Sequence, residues 1–483
     1  MGSRSPRGRA LREAKKSLAF RRRARSVAVS KTKETTNQRS ARLGSTMFGT
    51  AKRCNQKRQT AMAARMNRRL FGMLSKRIDE LGLDEIDDTR DDRGKRWRLG
   101  TLLRATLGAM VAGAKSLAKV EELSERMSQP TRRLLGIRRR LPDTTLRNAL
   151  CTIEPDKLRS PLHALVRKAQ RRKALEPEEL PFGVVSLDGK GFSIPSSDDW
   201  YAQRQTQGED AALTGIVRTV TATLTSSAAK PIIDVTPIPA RTNEMGIFEQ
   251  ALDALCMAYR GVELFKLVTY DAGACSAHNA ALVRARDLHY LFGLTAGQPT
   301  LLQDAKHWLG SRKAAEADAV SEDFDRGNRV VRRLFIGQAT VVLDGWEHLR
   351  TVLRIQTEIF DGTAEPRVDE RYLISSMPSV RLTAVHWLLV ARRHWGVETS
   401  HQILDNAFEE DDHPWIEACP RAALVVAILR RIAYTMLALF RSVTQRSDER
   451  RAIPWQTLMT DLLVALITMT ELDLRDPKPL RLR

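Results

Sequence analysis

The spacing of apolar positions changes character twice along the chain, and those changes predict its elements. Over 70–170 the pattern is helical: Leu102, Leu103, Thr106, Leu107, Met110 and Val111 recur at spacings of three and four, which places them on one helix face. After the polar stretch 171–179 the runs become short and β-branched, as in strands. Residues 182–187 form one such run, ending in Asp188 and the turn residues Gly189 and Lys190. Two more, 216–224 and 232–238, are joined by a turn over 226–230. Asn243 is placed to cap a helix over 244–259. A strand over 264–270 ends in Asp271, and a helix over 276–287 and a strand over 290–294 follow. The predicted order is β-β-β-α-β-α-β.

Further on, strand-like runs at Val330–Val331, 340–343 and 352–359 interrupt this alternation and predict a β-rich insertion. A short strand over 372–375 precedes a helix over 381–408 that contains Glu398, and two more helices are expected over 421–441 and 455–468. No internal repeat is evident. The chain is therefore expected to divide into a basic segment (1–69), a helical region with DNA-binding potential (70–180), the first part of an α/β core (181–310), the insertion (311–370), the end of the core (371–445) and a helical C-terminal segment (446–483).

Charge narrows the partners. Lys and Arg number 79 against 57 Asp and Glu, a formal net charge of +22, which favours a polyanion because each neutralised phosphate releases condensed counterions. Much of this surplus lies in 1–69, which lacks apolar periodicity and is expected to be disordered; it reads equally as a DNA-contacting arm or as an extension upstream of the true start. Arg98, Arg104, Arg133, Arg138, Arg139 and Arg140 add charge around the N-terminal helices, although no helix-turn-helix stands out. The five cysteines are scattered without a CxxC pair, which argues against a disulfide framework or zinc site and fits a reducing cytoplasm. No apolar core follows the basic start, so no signal peptide is expected. The apolar run 422–440 is broken by Arg430 and Arg431 and reads as a buried helix, not a membrane span.

The candidate chemistry lies in three acids. Asp188 and Asp271 follow strands, where open α/β sheets assemble sites, and glycines nearby allow the backbone to approach a ligand closely. Either Asp alone reads more readily as a turn residue. The segment around Glu398 shifts that balance. Glu398, His401 and Asp405 stand at i, i+3 and i+7, on one helix face, where three polar groups are expensive to bury unless something binds them.

Here the sequence resembles bacterial insertion-sequence transposases of the DDE class, in the branch with an HWxxE-type helix. Arg393, His394, Trp395, Glu398, His401, Leu404, Asp405, Phe408, Glu410 and Asp411 match that helix pattern. Leu187-Asp188-Gly189-Lys190, Thr242-Asn243-Glu244, Thr269-Tyr270-Asp271-Ala272-Gly273, the block from Gly297 to Leu302, and Tyr372-Leu373-Ile374-Ser375-Ser376 resemble the family's other blocks, in its order. The similarity extends roughly over 99–440.

The resemblance implies an α/β fold: an RNase H-like core carrying a β-rich insertion, preceded by a helical N-terminal domain. It implies Asp188, Asp271 and Glu398 as catalytic metal ligands, holding two Mg²⁺ ions for which Mn²⁺ can substitute. It further implies double-stranded DNA as partner, a homodimer pairing two element ends, and a cytoplasmic, nucleoid-associated bacterial protein with no membrane association. His401 and Asp405 are candidates to orient Glu398. Lys190, Arg392, Arg393 and Trp346 are candidates to contact DNA, with a place in a small β core as the competing reading for Trp346. Departures exist: Ala391, His394 and Asp405 stand where related branches carry Tyr, Arg and Lys around the Glu, and Thr399 follows Glu398 in place of the usual Asn. A standalone nuclease of the same fold, or a degenerate DNA-binding relic, are the alternatives.

Overall fold

The computed structural model describes residues 65–198, 200–206, 213–325, 327–339, 345–363, 365–445 and 447–475. Nearly all of the basic segment 1–69 lies outside them; its last five residues, 65–69, are helical rather than disordered. The architecture below belongs to the unit that begins at Asn67.

The helical region comprises α1 (67–80), α2 (Leu99–Val111), α3 (Leu117–Arg126), α4 (Gln129–Leu135), α5 (Asp143–Leu150) and α6 (Arg159–Arg171). The face expected on α2 widens into burial all round: of its residues, only Arg104 keeps partial exposure. The cause is α12 (Pro420–Leu439), an apolar helix against which α2 packs. By length and hydropathy α12 and its extension to Thr444 could cross a membrane, yet the segment is buried within the protein. Arg430 and Arg431 are buried with it, and Arg431 pairs with the equally buried Glu410. Of the arginines around the N-terminal helices, Arg104, Arg133 and Arg140 pair with Asp84, Glu471 and Glu121, and Arg139 lies over the Trp97 ring.

One ten-stranded sheet runs through the rest: β1 (Val184–Ile194), β2 (Ala202–Thr206), β3 (Leu213–Thr223), β4 (Ile232–Ile238), β5 (Leu267–Tyr270), β6 (His289–Leu294), β7 (Ala319–Asp325), β8 (Asn328–Gln338), β9 (Thr351–Phe360) and β10 (Arg367–Ser375). The spatial order is β2-β3-β1-β5-β6-β10-β9-β8-β7, with β4 also on β3. β1 runs parallel to β5, and β5 to β6, whereas β3 is antiparallel to β1. The expected strand-helix order holds, with α7 (Glu244–Ala258) and α8 (Ala277–Ala285) in place and the Asn243 side chain accepting from Gly246 N–H as the N-cap.

The short strand β2 adds to that order, because its sequence, Ala-Gln-Arg-Gln-Thr, carries almost no apolar signal. β7 was equally hidden by its acidic run. The expected strand over 340–343 lies outside the described residues. The insertion strands form no separate sheet; β10 pairs antiparallel with β6 and continues the core sheet outward. Helix α9 (Pro299–Leu309) packs on β8, β9 and β10.

The single helix expected over 381–408 is two, α10 (Ala384–Arg393) and α11 (Gly396–Phe408). The break falls beside Gly396, where a Cβ would stand 3.1 Å from the Thr225 methyl group, so the chain turns against the β3–β4 connection. A core of Val184, Leu267, Leu291, Leu334, Leu353 and Trp387, among others, fixes α10 to one face of the sheet. Helix α13 (Trp455–Thr468) forms as expected.

Candidate active site

Strand register brings the two aspartates side by side. β1 and β5 pair in parallel at Ser186 and Thr269, and Asp188 and Asp271 each stand two residues further along. Alternation along a strand then puts Val184, Ser186 and Asp188 on one face, with Leu267 and Thr269 beside them. Asp188 lies within β1 rather than past its end, because pairing with β3 continues through Ile194. Asp271 follows β5 directly, and its Oδ1 accepts from Gly273 N–H at 3.0 Å, which fixes the carboxylate at the carboxyl end of the strand.

Glu398 sits in the first turn of α11, which packs on β1 and β3. There the charge of Asp188 acts on the other two acids. Burial, then the charge of Asp188, raises the Glu398 pKa, with Asp271 contributing; Arg371 opposes the shift. Burial also raises that of Asp271, helped by Asp188, against the backbone hydrogen bond from Gly273.

Beneath the acids lies a buried polar floor. Ser186 Oγ is hydrogen-bonded to Thr225 Oγ1 at 2.8 Å and accepts from Thr269 Oγ1 at 2.8 Å. Thr269 Oγ1 in turn meets His394 Nδ1 at 2.9 Å. Burial lowers the His394 pKa to about 4 despite Asp188, so this imidazole is neutral near pH 7.

The residues expected around Glu398 have other partners. His401 Nδ1 stands 3.2 Å from Asp188 Oδ2, so it orients the first aspartate. Asp405 pairs with Lys190 at 2.7 Å, and Asp411 meets the same ammonium at 3.1 Å. The Lys190 side chain is only 8% exposed. Arg393 is drawn to Glu178, Glu179 and the Ser226 carbonyl, while Arg392 pairs with Asp323 on β7 at 2.6 Å. Trp346, half-buried, lies in the loop between β8 and β9; its neighbour Gly345 approaches Ala277 of α8.

Two site residues escaped the sequence reading. Arg371, on the polar half of β10, lies over the Trp395 ring at 4.4 Å and within electrostatic reach of Glu398; no periodicity marked it. Glu244 lies against Gly189 and Tyr270, which adjoin the aspartates, and its pKa is raised by burial and then by Asp188 and Asp271. The only sign of it was its place in the Thr242-Asn243-Glu244 block.

As they lie, no three acidic, histidine or cysteine side chains among the described residues stand close enough to hold a metal ion. The donor set still suits a hard divalent cation, which takes carboxylate oxygens. The charge of Asp188 helps to raise the pKa of both Asp271 and Glu398, a condition such a cation relieves.

A mixed α/β sheet covered by helices and preceded by a helical region has the architecture of an RNase H-like fold. A family model described as Transposase DDE domain matches residues 180–436, and one described as DDE_Tnp_1-associated matches residues 82–166. The first spans more than half of the chain, which therefore belongs to the DDE transposase family. No curated relative matches it. Transposases act on DNA, and this family generally uses divalent metals.

Proposed function

We propose that this transposase cuts DNA at the ends of an insertion element and joins the freed 3′-hydroxyl ends to target DNA. The observation that carries this reading is the strand register that sets Asp188 beside Asp271, with Glu398 on the helix packed over β1 and within their electrostatic reach. In this reading the three carboxylates hold Mg²⁺, two ions in all, with Mn²⁺ able to substitute. Bound there, such ions activate the attacking oxygen and offset charge on the phosphodiester.

The chain's own groups position the reaction. His401 holds the Asp188 carboxylate, and Gly273 N–H holds that of Asp271. Lys190, paired to Asp405 and Asp411, ties β1 to α11 and so sets how far Asp188 stands from Glu398. Neutral His394 supports the floor without adding charge beneath the acids. Lys190 and Arg393 act here as internal braces. Arg392 and Trp346, which retain exposure on the insertion side, are the DNA contacts. Two element ends must be held together for joining, so the acting form is a homodimer on double-stranded DNA.

The test compares wild type with Asp188→Asn, Asp271→Asn and Glu398→Gln on donor DNA carrying the sequences that flank the gene, in Mg²⁺ or Mn²⁺. Nicks at defined ends and joined products from wild type alone are expected. Nicks without joined products would make the protein a nuclease, and binding without cleavage a DNA-binding relic. Equal cleavage by the variants would place the active site elsewhere.

A further inference from the structure

Arg371 brings to the acidic edge a cation whose outer donors are free. Leu291 pairs with Thr269, and Leu373 with Gly293, so alternation sets Arg371, Leu373 and Ser375 on the sheet face that carries Thr269 and Asp188. β10 runs antiparallel to β6, and stepping back from Ser375 to Arg371 therefore moves towards the carboxyl end of β5, where Asp271 stands. Only β6 separates β10 from β5, which places the two backbones about 10 Å apart across the sheet.

The Arg371 side chain is held from behind. Its guanidinium carbon lies 4.4 Å from the centre of the Trp395 ring, and Nε donates to Asp369 Oδ2 at 3.1 Å. Neither Nη1 nor Nη2 makes a hydrogen bond among the described residues, and the side chain is 53% exposed. A planar guanidinium laid on an aromatic face keeps its terminal nitrogens in one orientation, which suits a phosphate taken through two parallel N–H···O bonds. Trp395 is 39% exposed, although it stands only three residues before Glu398. An indole this open adds little as core packing and serves instead as a platform. The other cations nearby are committed: Lys190 to Asp405 and Asp411, Arg393 to Glu178 and Glu179, both with little exposure. Helix α11 itself carries no Lys or Arg.

We propose that Arg371, seated on Trp395, grips a phosphate of the DNA strand close to the one cut beside Glu398, with Trp395 as its positioning residue. The proposal rests on the DNA-cutting reading above. A separation of about 10 Å corresponds to roughly three base steps of a strand.

The experiment measures binding of the full-length protein to a fluorescent duplex of the flanking sequence over a range of NaCl concentrations, and cleavage of the same duplex in Mn²⁺. Arg371→Gln is expected to lower the slope of log affinity against log salt by about 0.9, as for one phosphate contact, and to weaken binding roughly five- to tenfold at 0.1 M salt. Trp395→Leu should weaken binding in the same direction, and Trp395→Phe, which keeps an aromatic face, should restore it. Arg329→Gln is the control, because Arg329 lies five residues from Leu334, a residue in the Arg371 row, and so on the opposite face; its slope should match wild type. The melting temperature of Arg371→Gln should stay near that of wild type, since its pair with Asp369 is exposed. An unchanged slope in Arg371→Gln, or an equal fall in Arg329→Gln, would overturn the proposal while Asp188→Asn, by losing cleavage, leaves the DNA-cutting reading standing. Trp395→Leu that binds like wild type would overturn the positioning role. Arg371→Gln protein that melts well below wild type would show Arg371 to be structural, which also overturns the proposal. If wild type neither binds nor cuts the duplex, the DNA-cutting reading itself fails.

Discussion

Removing Arg431 should strand a charge inside the protein, and its cost can be worked out from the surroundings. Glu409 ends α11 in the left-handed conformation, φ 52°, which turns the chain so that Glu410 enters the core. Glu410 and Arg431 are both fully buried and paired, and Arg430 is the second favourable charge on Glu410. Breaking such a pair by deleting one partner costs about 3–5 kcal/mol. Arg430 remains in Arg431→Met, so the loss should fall near the lower end, about 3 kcal/mol. Adding Glu410→Gln removes the stranded anion and should recover on the order of 1–2 kcal/mol. Recovery is partial because Arg430 then loses the largest of its favourable charges, Glu410, and keeps the weaker ones of Asp411 and Glu409.

Acid gives the sign. Burial pushes the Glu410 pKa up, but Arg431 and Arg430 outweigh it and hold it below the ordinary value. In wild type its contribution is therefore present above the unfolded pKa, about 4.3, and is lost as pH falls through the lower folded value. In Arg431→Met the main opposing charge is gone and burial acts with less opposition, so protonation of Glu410 relieves the strain. The gap between variant and wild type should narrow as pH falls from 7 towards 5. Urea unfolding of the full chain, followed by tryptophan fluorescence across that range, measures it. Equal stability at pH 7, or a deficit that does not change with pH, would refute the reasoning.

Other consequences are simpler to check. His401→Ala should slow cleavage by roughly 10–100-fold, as losing the partner that orients a ligand does, while circular dichroism stays as in wild type; an unchanged rate would remove His401 from the site. Lys190→Met and Asp405→Asn should each destabilise the protein, and a double-mutant cycle should give a coupling of about 1–2 kcal/mol; additive losses would mean that the Lys190–Asp405 contact holds nothing together. Gly183→Ala would put a Cβ 1.9 Å from the Leu264 carbonyl oxygen, where β1 begins beside the approach to β5. Such overpacking costs about 1–3 kcal/mol or more, and a melting temperature equal to wild type would contradict it.

Much of the core was readable because each strand of β1, β3, β4, β5 and β6 carries a concentrated apolar run. β2 and β7 were not, since an outer strand gains its stability from backbone pairing and needs little apolar content. The break between α10 and α11 had a local sign in Gly396, but its cause, contact with Thr225, lies far away in sequence. Asp271 and Glu398 could be singled out because a strand end and a helix face mark positions along the chain, whereas the continuation of β1 past Asp188 depends on pairing with β3. The pairings of the site could not: that His401 turns to Asp188 and Asp405 to Lys190 depends on how α11 is laid across β1. Glu244 was hidden for the same reason, being brought to Gly189 only by the sheet order.

The continuity of the sheet from β6 into β10 sets the mechanical character of the insertion. β5, whose end carries Asp271, pairs with β6; β6 pairs with β10, and β10 with β9, through backbone hydrogen bonds. A module on a flexible tether could swing over its substrate like a hinged cover. This one is an outrigger built into the same plate as the acids, so load applied at its rim is transmitted as twist across the strands. In the reading proposed above, DNA laid on the insertion would meet a surface held at a fixed distance from the acids rather than one that moves over them.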